Sequence, residues 1–380
     1  MAQSAHDRSL QVEPSAQGGA NPPLTGSEMN VARDAPRFRP ARWMAIAALL
    51  LIAAIGCLQW RQFSSAPAPQ VSSEWRALVS DLRAFERTIG FAATRNFLTL
   101  TGERESFPFC GQASRYTLPY SYEDPSIRWV ESLDEAQCHA ASADADVFFG
   151  AVEAMGEIGT PVTPSMLKGK LDRFVYLVIH EDCHDQFDLP YGIEEALCNV
   201  VAYNAMDRFS SEAYRWYSRE NRAIKSYTGV QSSLTRATIF HYRQLEMLYA
   251  RFHRAEVSAE YLLNERARVF ASAERALALD DGTMNNVVLA NYMTYARHYP
   301  FLERTFAVLG RDLERTVEFF RHVDRIKPST ADVMAREGIK ESGTVEFVRA
   351  YESAAVKTIA QVLAEWRRTR RLGGETGSTD

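Results

Sequence analysis

Apolar residues recur at helical spacing through most of the chain. After a serine at position 73, apolar side chains return every three or four residues as far as Gly90, and they predict a first amphipathic helix. Beyond Met166 the same period of 3.6 predicts helices over residues 170–187, 193–208, 211–226, 231–254, 257–278, 284–299, 301–325 and 344–371. The pattern is typical of a mostly α-helical body.

Strand-like sequence lies ahead of these helices. Residues 97–123 mix aromatic residues and threonines with glycine and proline, and residues 146–152, DVFFGAV, have the strongest strand pattern. We therefore expect an α+β fold in which a small N-terminal sheet region packs on the helical body, as one domain over residues 74–372. The sequence has no internal repeat, no glycine-rich phosphate loop and no Gly-x-Ser-x-Gly elbow.

The first sixty residues have a different character. Residues 1–41 are rich in Ala, Ser, Pro, Gly and Asn, and they predict a disordered tail. Residues 43–60, WMAIAALLLIAAIGCLQW, are uncharged and flanked by tryptophan, which predicts one transmembrane helix within an anchor at 42–60. A cleaved signal peptide and lipidation at Cys57 are the alternatives for this stretch.

The charges around this stretch predict its orientation. Arg37, Arg39 and Arg42 precede it, so we expect a cytoplasmic N-terminus and a periplasmic folded domain at a bacterial inner membrane. Residues 61–73 predict a stalk, and residues 373–380 predict a flexible tail.

Composition excludes several other classes of protein. Hydrophobic residues make up 46% of the 380 residues and charged residues 24%, which is enough for a substantial core. A net charge of −5 without a concentrated basic face argues against a nucleic-acid partner. The four Arg residues in EWRRTRRL fit a solvated helix end better than a site for anionic lipid. None of the five cysteines forms a CxxC pair, so a zinc-finger or thioredoxin-like site is excluded, and a Cys110–Cys138 bridge stays open.

The stretch 178–187, VIHEDCHDQF, holds the clearest chemical motif. His180 and His184 lie one turn apart on a predicted helix, so both imidazoles can reach one metal ion. Glu181 is turned by about 100° around the helix, where it can hold a water molecule as a general base. The pattern predicts a catalytic Zn²⁺ site that needs a third protein ligand.

Glu195 is the expected third ligand. The turn sequence DLPYG at 188–192 breaks the first helix and lets a second helix return beside it. Glu195 shares a helical face with Asn199, which we expect to accept a hydrogen bond from a ligand imidazole; Glu194, the competing choice, lies on another face. Cys183 and Cys198 lie on the same two helices, and the sequence leaves open whether they are inert, near the metal or joined by a disulfide.

The motif allows two other interpretations. The histidines could be satisfied by hydrogen bonds inside a helical core without any metal. A ferritin-like di-iron site would need a second Glu-x-x-His motif, which the chain lacks.

Longer segments resemble a known family. FPFCGQASRY, DVFFGAVEAMGEIGTPVTPSML, IHEDCHDQF, GIEEALCNVV and the stretch that begins GTMNNVVLANYMTYARHYPFLERTF are similar to the bacterial zinc aminopeptidases, which are gluzincin-like metallopeptidases with HExxH and a downstream glutamate. The resemblance covers about residues 78–325. It implies that His180, His184 and Glu195 bind zinc and that Glu181 is the base.

The sequence also departs from the family pattern. The family has apolar residues inside the motif and Gln after the second histidine, whereas this chain has Asp182, Cys183 and Asp185. Residues 155–159, MGEIG, replace a Tyr-Ser-Thr-Leu-Gly run. These changes spare the expected ligands and fall where substrate contacts and the charge around the metal would be set.

The residues predict a membrane-anchored zinc peptidase, an aminopeptidase by the resemblance, that acts on peptide or protein substrates. Tyr295 and His298 are the candidate donors of a hydrogen bond to the oxyanion. The alternative for Tyr295 is an ordinary aromatic residue of the core, and the alternative for His298 is an ordinary surface histidine. Asn285 and Asn286 can cap that helix instead, and the strand at 146–152 could pair with a peptide. The rival prediction is a zinc-stabilised envelope scaffold or binding protein without hydrolytic activity.

Overall fold

The computed structural model describes residues 72–101, 107–130, 134–140, 145–154 and 159–374. Within them the protein is mostly helical, with one small sheet. Its elements are, in chain order, α1 (Ser72–Thr88), β1 (Phe107–Ser114), β2 (Arg128–Val130), α2 (Glu135–Ala140), β3 (Ala145–Val152), α3 (Pro164–Lys168), α4 (Leu171–His184), α5 (Tyr191–Ala213), α6 (Arg219–His253), α7 (Ala259–Leu277), α8 (Asn286–Ala296), α9 (Tyr299–Val308), α10 (Leu313–Ile326), α11 (Thr330–Glu337) and α12 (Val345–Gly374).

The three strands form an antiparallel sheet in the order β2–β1–β3. Cys110 in the central strand lies opposite Val130 on one side and Phe149 on the other, and it forms a disulfide with Cys138 of α2. Phe148 turns inward, and its side chain belongs to a second core that also includes residues of α6, α7 and α8. The strand predicted at 146–152 is confirmed as β3, which has a neighbour on one side in the described sheet.

The helix α4 is the centre of the main core. All its residues, polar ones included, are buried, because α1, α3, α5 and α6 pack around it. The chain then turns within residues 185–190 and returns as α5, which lies alongside α4 as a helical hairpin. A disulfide between Cys183 and Cys198 joins the two helices. This hairpin, predicted from the DLPYG turn, places the candidate site inside the body of the protein.

The first correction to the predicted helices concerns the region after α5. The sequence predicts separate helices over 211–226 and 231–254, whereas α6 runs without a break from Arg219 to His253. The break lies earlier, where Ser218 caps α6 by accepting a hydrogen bond from the Asn221 backbone NH. Glycine inside a helix costs only about 1 kcal/mol, so Gly229 does not end α6.

The second correction concerns the helix predicted over 301–325, which is two helices. Gly310 and Arg311 have positive φ angles of 87° and 56°, a left-handed backbone that stops α9. Asp312 then caps α10 by accepting from the Arg315 backbone NH. The short α11 is absent from the sequence prediction, and its capping box at Ser329 was the overlooked signal.

The predicted fold class needs a further correction, because it included a transmembrane helix. No helix among those described is long and apolar enough to cross a membrane. Outer helices such as α10 are amphipathic instead: α10 buries Leu313, Val317 and Phe320 and exposes Glu314 and Glu318. Residues 43–60, for which the sequence predicts the membrane span, lie outside the described residues, as do 1–41, 61–71 and 375–380.

Candidate metal centre

Three predicted residues meet between α4 and α5. His180, His184 and Glu195 each offer one ligand atom, and these atoms all lie within 4.8 Å of one another. The Oε2 atom of Glu195 lies 3.1 Å from Nε2 of His180 and 3.4 Å from Nε2 of His184. All three side chains are buried, so the three residues could hold a metal ion shielded from bulk water. We refer to His180, His184 and Glu195 together as the metal group.

The neighbouring carboxylate, Glu194, orients His184 through Nδ1, the ring nitrogen on the side away from Glu195. Its Oε1 accepts a hydrogen bond from Nδ1 of His184 at 2.8 Å, and its Oε2 accepts from the Leu189 backbone NH at 2.7 Å. A proton held on Nδ1 leaves the Nε2 lone pair directed at the site, as a metal ligand requires. Sequence reasoning set Glu194 aside as a rival ligand and missed this supporting role.

His180 is oriented through a tyrosine that sequence reasoning also missed. The Tyr176 hydroxyl donates to Oδ1 of Asn199 at 2.6 Å and lies 3.1 Å from Nδ1 of His180. A phenol has one proton to donate, so its oxygen accepts from the imidazole and Nε2 of His180 keeps its lone pair for a metal. The predicted bond between Asn199 and an imidazole is therefore relayed by Tyr176, which lies one helical turn before His180.

The donor set fits zinc. Two imidazole nitrogens and one carboxylate oxygen form a common catalytic zinc set, with one position left for water or substrate. The Oε1 atom of Glu195 is buried and has no hydrogen-bond partner among the described residues. A bound cation would satisfy that buried oxygen.

The charges within the group are strongly coupled. Burial lowers the pKa of His180 to about 4. Burial would raise the pKa of Glu195, but the adjacent His184 and His180 outweigh it and lower that pKa to about 2. Burial also opposes protonation of His184, yet Glu195 and Glu194 together raise its pKa well above the usual value. The metal-free group therefore balances an ionised Glu195 with a protonated His184.

Glu181, the predicted base, is buried beside this group. It follows His180 directly on α4, and 1% of its surface is exposed. Its backbone carbonyl accepts a hydrogen bond from the Asn96 side chain at 3.4 Å. Since helical geometry turns it about 100° from His180, it adjoins the metal group without sharing the ligand face.

The unusual aspartates of the motif face away from the metal group. Oδ1 of Asp182 accepts from the Thr94 hydroxyl at 2.5 Å and from the Asn96 amide at 3.0 Å. Asp185 lies 3.3 Å from the same amide. These carboxylates therefore fasten the segment that follows α1 to the back of α4.

The two predicted oxyanion donors occupy different surroundings. The Tyr295 ring is half-buried, with its centroid 6.4 Å from that of His180, so it lies beside the metal group. Nε2 of His298 instead bonds Oε2 of Glu352 at 2.8 Å, and the Tyr120 hydroxyl donates to the same oxygen at 2.6 Å. The role of either residue as an oxyanion donor stays a prediction. Asn285 caps α8, because its side chain accepts hydrogen bonds from the backbone NH groups of Val287 and Val288. This is the capping role that the sequence offered for Asn285 as an alternative to substrate contact.

Comparison with known proteins supplies the family. Residues 98–334, more than half of the chain, match the family model described as "Putative aminopeptidase". This range contains the metal group, Glu181 and Tyr295. No curated protein and no solved structure matched the chain. The aminopeptidase part of the sequence resemblance is confirmed, whereas the gluzincin subtype stays a prediction. The chain belongs to the "Putative aminopeptidase" family.

Proposed function

We propose that this protein is a zinc-dependent peptidase, with His180, His184 and Glu195 as zinc ligands. The observation that carries the proposal is the buried convergence of these three donors in a chain of the aminopeptidase family. Glu194 and Tyr176 support it further, because each holds the Nδ1 atom of one histidine and leaves Nε2 for a metal.

The protein side chains have separate roles in this proposal. A zinc ion held there would polarise the scissile carbonyl and lower the pKa of a water molecule. Glu181 takes the proton from the attacking water and gives it to the leaving amine. The Tyr295 hydroxyl donates a hydrogen bond to the developing oxyanion, since its ring adjoins His180. His298 is the alternative donor, although its partner here is Glu352.

One experiment tests this function. The purified full chain is analysed for zinc and then incubated with a mixed peptide library, before and after removal of metal by a chelator. We expect about one zinc per chain, cleavage by the loaded protein and loss of cleavage after chelation. Glu181→Gln should keep zinc and fold and lose cleavage, because only proton transfer is removed. A chain without stoichiometric zinc would overturn the proposal.

The complete burial of the metal group favours a second candidate. His180 and Glu195 are 0% exposed, and a structural zinc site in a scaffold protein would be enclosed in the same way. The library experiment separates the two candidates. Stoichiometric zinc together with an intact library would support the scaffold, and zinc-dependent cleavage would exclude it.

A further inference from the structure

A groove runs along α1, and no residue of the metal group lines it. Its cavity volume is about 270 Å³, just below the range of about 300–1,000 Å³ that is typical of small-molecule sites. The apolar side of the groove is formed by Trp75, Val79, Phe97 and Leu98. The first three belong to the main core, whereas Leu98 is 58% exposed. The groove therefore has a packed apolar floor and a mouth that is open to solvent.

Three arginines form the polar side of the groove. Arg76, Arg83 and Arg87 follow one another at intervals of seven and four residues, so they share one face of α1. The Arg83 guanidinium is held from the inside, because Nη2 donates to the Asn96 carbonyl and Nε lies 4.0 Å from Oδ2 of Asp182. Arg83 is therefore a fixed and largely neutralised part of the wall.

The other two arginines keep their full positive charge. Both are exposed, and neither Arg76 nor Arg87 forms a hydrogen bond or an ion pair within the part of the chain that the structure describes. The buried acids behind α1 do not offset these charges: Asp182 faces Arg83, and burial raises the pKa of Glu86 so that its carboxyl group keeps a proton. Two free arginines beside an apolar floor favour a ligand that carries an anionic group.

The indole NH of Trp75 is a second, independent sign of a ligand. The Trp75 side chain is 1% exposed, yet its Nε1 atom has no acceptor among the described residues. Buried indole NH groups normally donate a hydrogen bond. The guanidinium carbon of Arg76 lies 5.2 Å from the centroid of the Trp75 ring, so one anion in the groove can accept from both side chains.

An alkyl carboxylate has the chemistry that this groove would recognise. Its two oxygens match the paired NH groups of a guanidinium, and its chain matches the apolar floor. A peptide fits less well, because its backbone NH groups need acceptors and no described carboxylate or carboxamide side chain lines the groove. The small volume favours a chain of medium length.

We propose that the groove along α1 binds a medium-chain alkyl carboxylate. The Arg76 guanidinium and the Trp75 indole NH donate to the carboxylate, and the chain packs on Val79, Phe97 and Leu98. Arg87 adds positive potential from the same face of α1. This ligand site involves neither zinc nor Glu181, so it goes beyond the proposed function and does not depend on it.

The test follows the Trp75 indole directly. The purified full chain, isotopically labelled at its six tryptophans, is titrated with octanoate and with octanamide while heteronuclear NMR records the indole NH signals. The Trp75→Phe variant assigns the Trp75 signal. We expect octanoate to shift this signal at a roughly tenfold lower concentration than octanamide, because only octanoate is charged. Hexanoate should bind more weakly than octanoate, by about fourfold for each methylene removed.

Two variants separate the charged contact from the apolar one. Arg76→Gln should abolish most of the advantage of octanoate and leave the binding of octanamide nearly unchanged. Leu98→Ser should weaken both ligands by a similar factor, because it removes apolar contact alone. Arg243→Gln removes an exposed arginine from α6 and is the matched control, which should alter neither ligand. Thermal unfolding of each variant establishes that the protein is folded.

Three outcomes would overturn the inference. They are a Trp75 signal that octanoate leaves in place, equal binding of octanoate and octanamide, and an undiminished advantage of octanoate in Arg76→Gln. Octanoate that bound at the metal group instead would leave the Trp75 signal in place and so count against the groove. None of these outcomes bears on zinc-dependent cleavage of the peptide library, so the inference and the proposed function fail separately.

Discussion

Glu194 bonds Nδ1 of His184 at 2.8 Å, on the side of the imidazole opposite to the one that faces Glu195. Two consecutive glutamates of α5 therefore act on the same histidine from two sides. Glu195 lies with the donors that can hold a metal, and Glu194 fixes the tautomer and orientation of the ring.

The first prediction separates the two carboxylates. Glu194→Gln should lower zinc affinity by about 10–100-fold, since an amide holds the His184 proton less well than a carboxylate. Glu195→Gln should lower it further, because one of the three proposed zinc ligands is lost. Competition with a chromophoric chelator measures both. Glu212→Gln, at an exposed position of the same helix, is the control and should bind zinc normally. Equal affinities for wild type and Glu194→Gln would contradict the assignment.

The second prediction concerns the relay through Tyr176. Tyr176→Phe leaves Nδ1 of His180 without its acceptor and Oδ1 of Asn199 without its donor. We expect zinc affinity to fall about tenfold and the free energy of unfolding to fall by about 1–3 kcal/mol. Zinc titration and urea unfolding measure the two effects.

Tyr242→Phe is the matched control for this variant. Tyr242 is equally buried and donates to the Pro119 carbonyl at 3.0 Å, in the second core around the sheet. It should lose a similar amount of stability and keep normal zinc affinity. If both variants bound zinc equally, Tyr176 would be an ordinary core residue.

The third prediction compares the two disulfides. The Cys183–Cys198 disulfide joins α4 to α5 across a sequence separation of 15 residues. The Cys110–Cys138 disulfide lies in the sheet region, with a sequence separation of 28 residues. Replacing either pair by alanine should lower the free energy of unfolding by about 2–4 kcal/mol. Only the Cys183/Cys198 variant should also bind zinc more weakly, because it loosens the hairpin that carries all three proposed ligands. Equal zinc affinity in both variants would show that helix packing alone holds the ligands together.

Much of this site could be predicted from sequence because its signals are local. His180 and His184 lie one turn apart, and the DLPYG turn predicts the return of Glu195 within fifteen residues. The helices α4 and α5 could be predicted because apolar residues that recur with a period of 3.6 indicate a helix packed against the core.

The remaining parts depend on contacts that sequence spacing does not encode. Tyr176 has the pattern of a core aromatic residue, and its role follows from the approach of Asn199 on another helix. The partner of His298 is Glu352, 54 residues away, and only tertiary packing brings the two together. The break at Gly310 was missed for another reason: apolar residues continue on both sides of it, so periodicity alone predicts one helix.

The last prediction concerns Glu86, whose carboxyl group is buried between α1 and α4. Burial, followed by the nearby Asp182 carboxylate, raises the pKa of Glu86 well above 4.5. The folded protein therefore keeps a proton that the unfolded chain releases above pH 4.5. Since the folded state then binds more protons, stability falls as pH rises from 4.5 toward the folded pKa, by about 1.4 kcal/mol per pH unit where the difference is complete.

Glu86→Gln mimics the protonated carboxyl group and removes this loss. We expect it to raise the free energy of unfolding at pH 7 by about 1 kcal/mol or more and to flatten the pH dependence between pH 5 and 7. Urea unfolding at several pH values measures the difference from wild type at matched zinc content. Glu74→Gln, an exposed position on the same helix, should leave the slope unchanged. Parallel pH profiles for wild type and Glu86→Gln would mean that Glu86 is ionised in the folded protein, with Arg83 and Arg87 outweighing burial and Asp182.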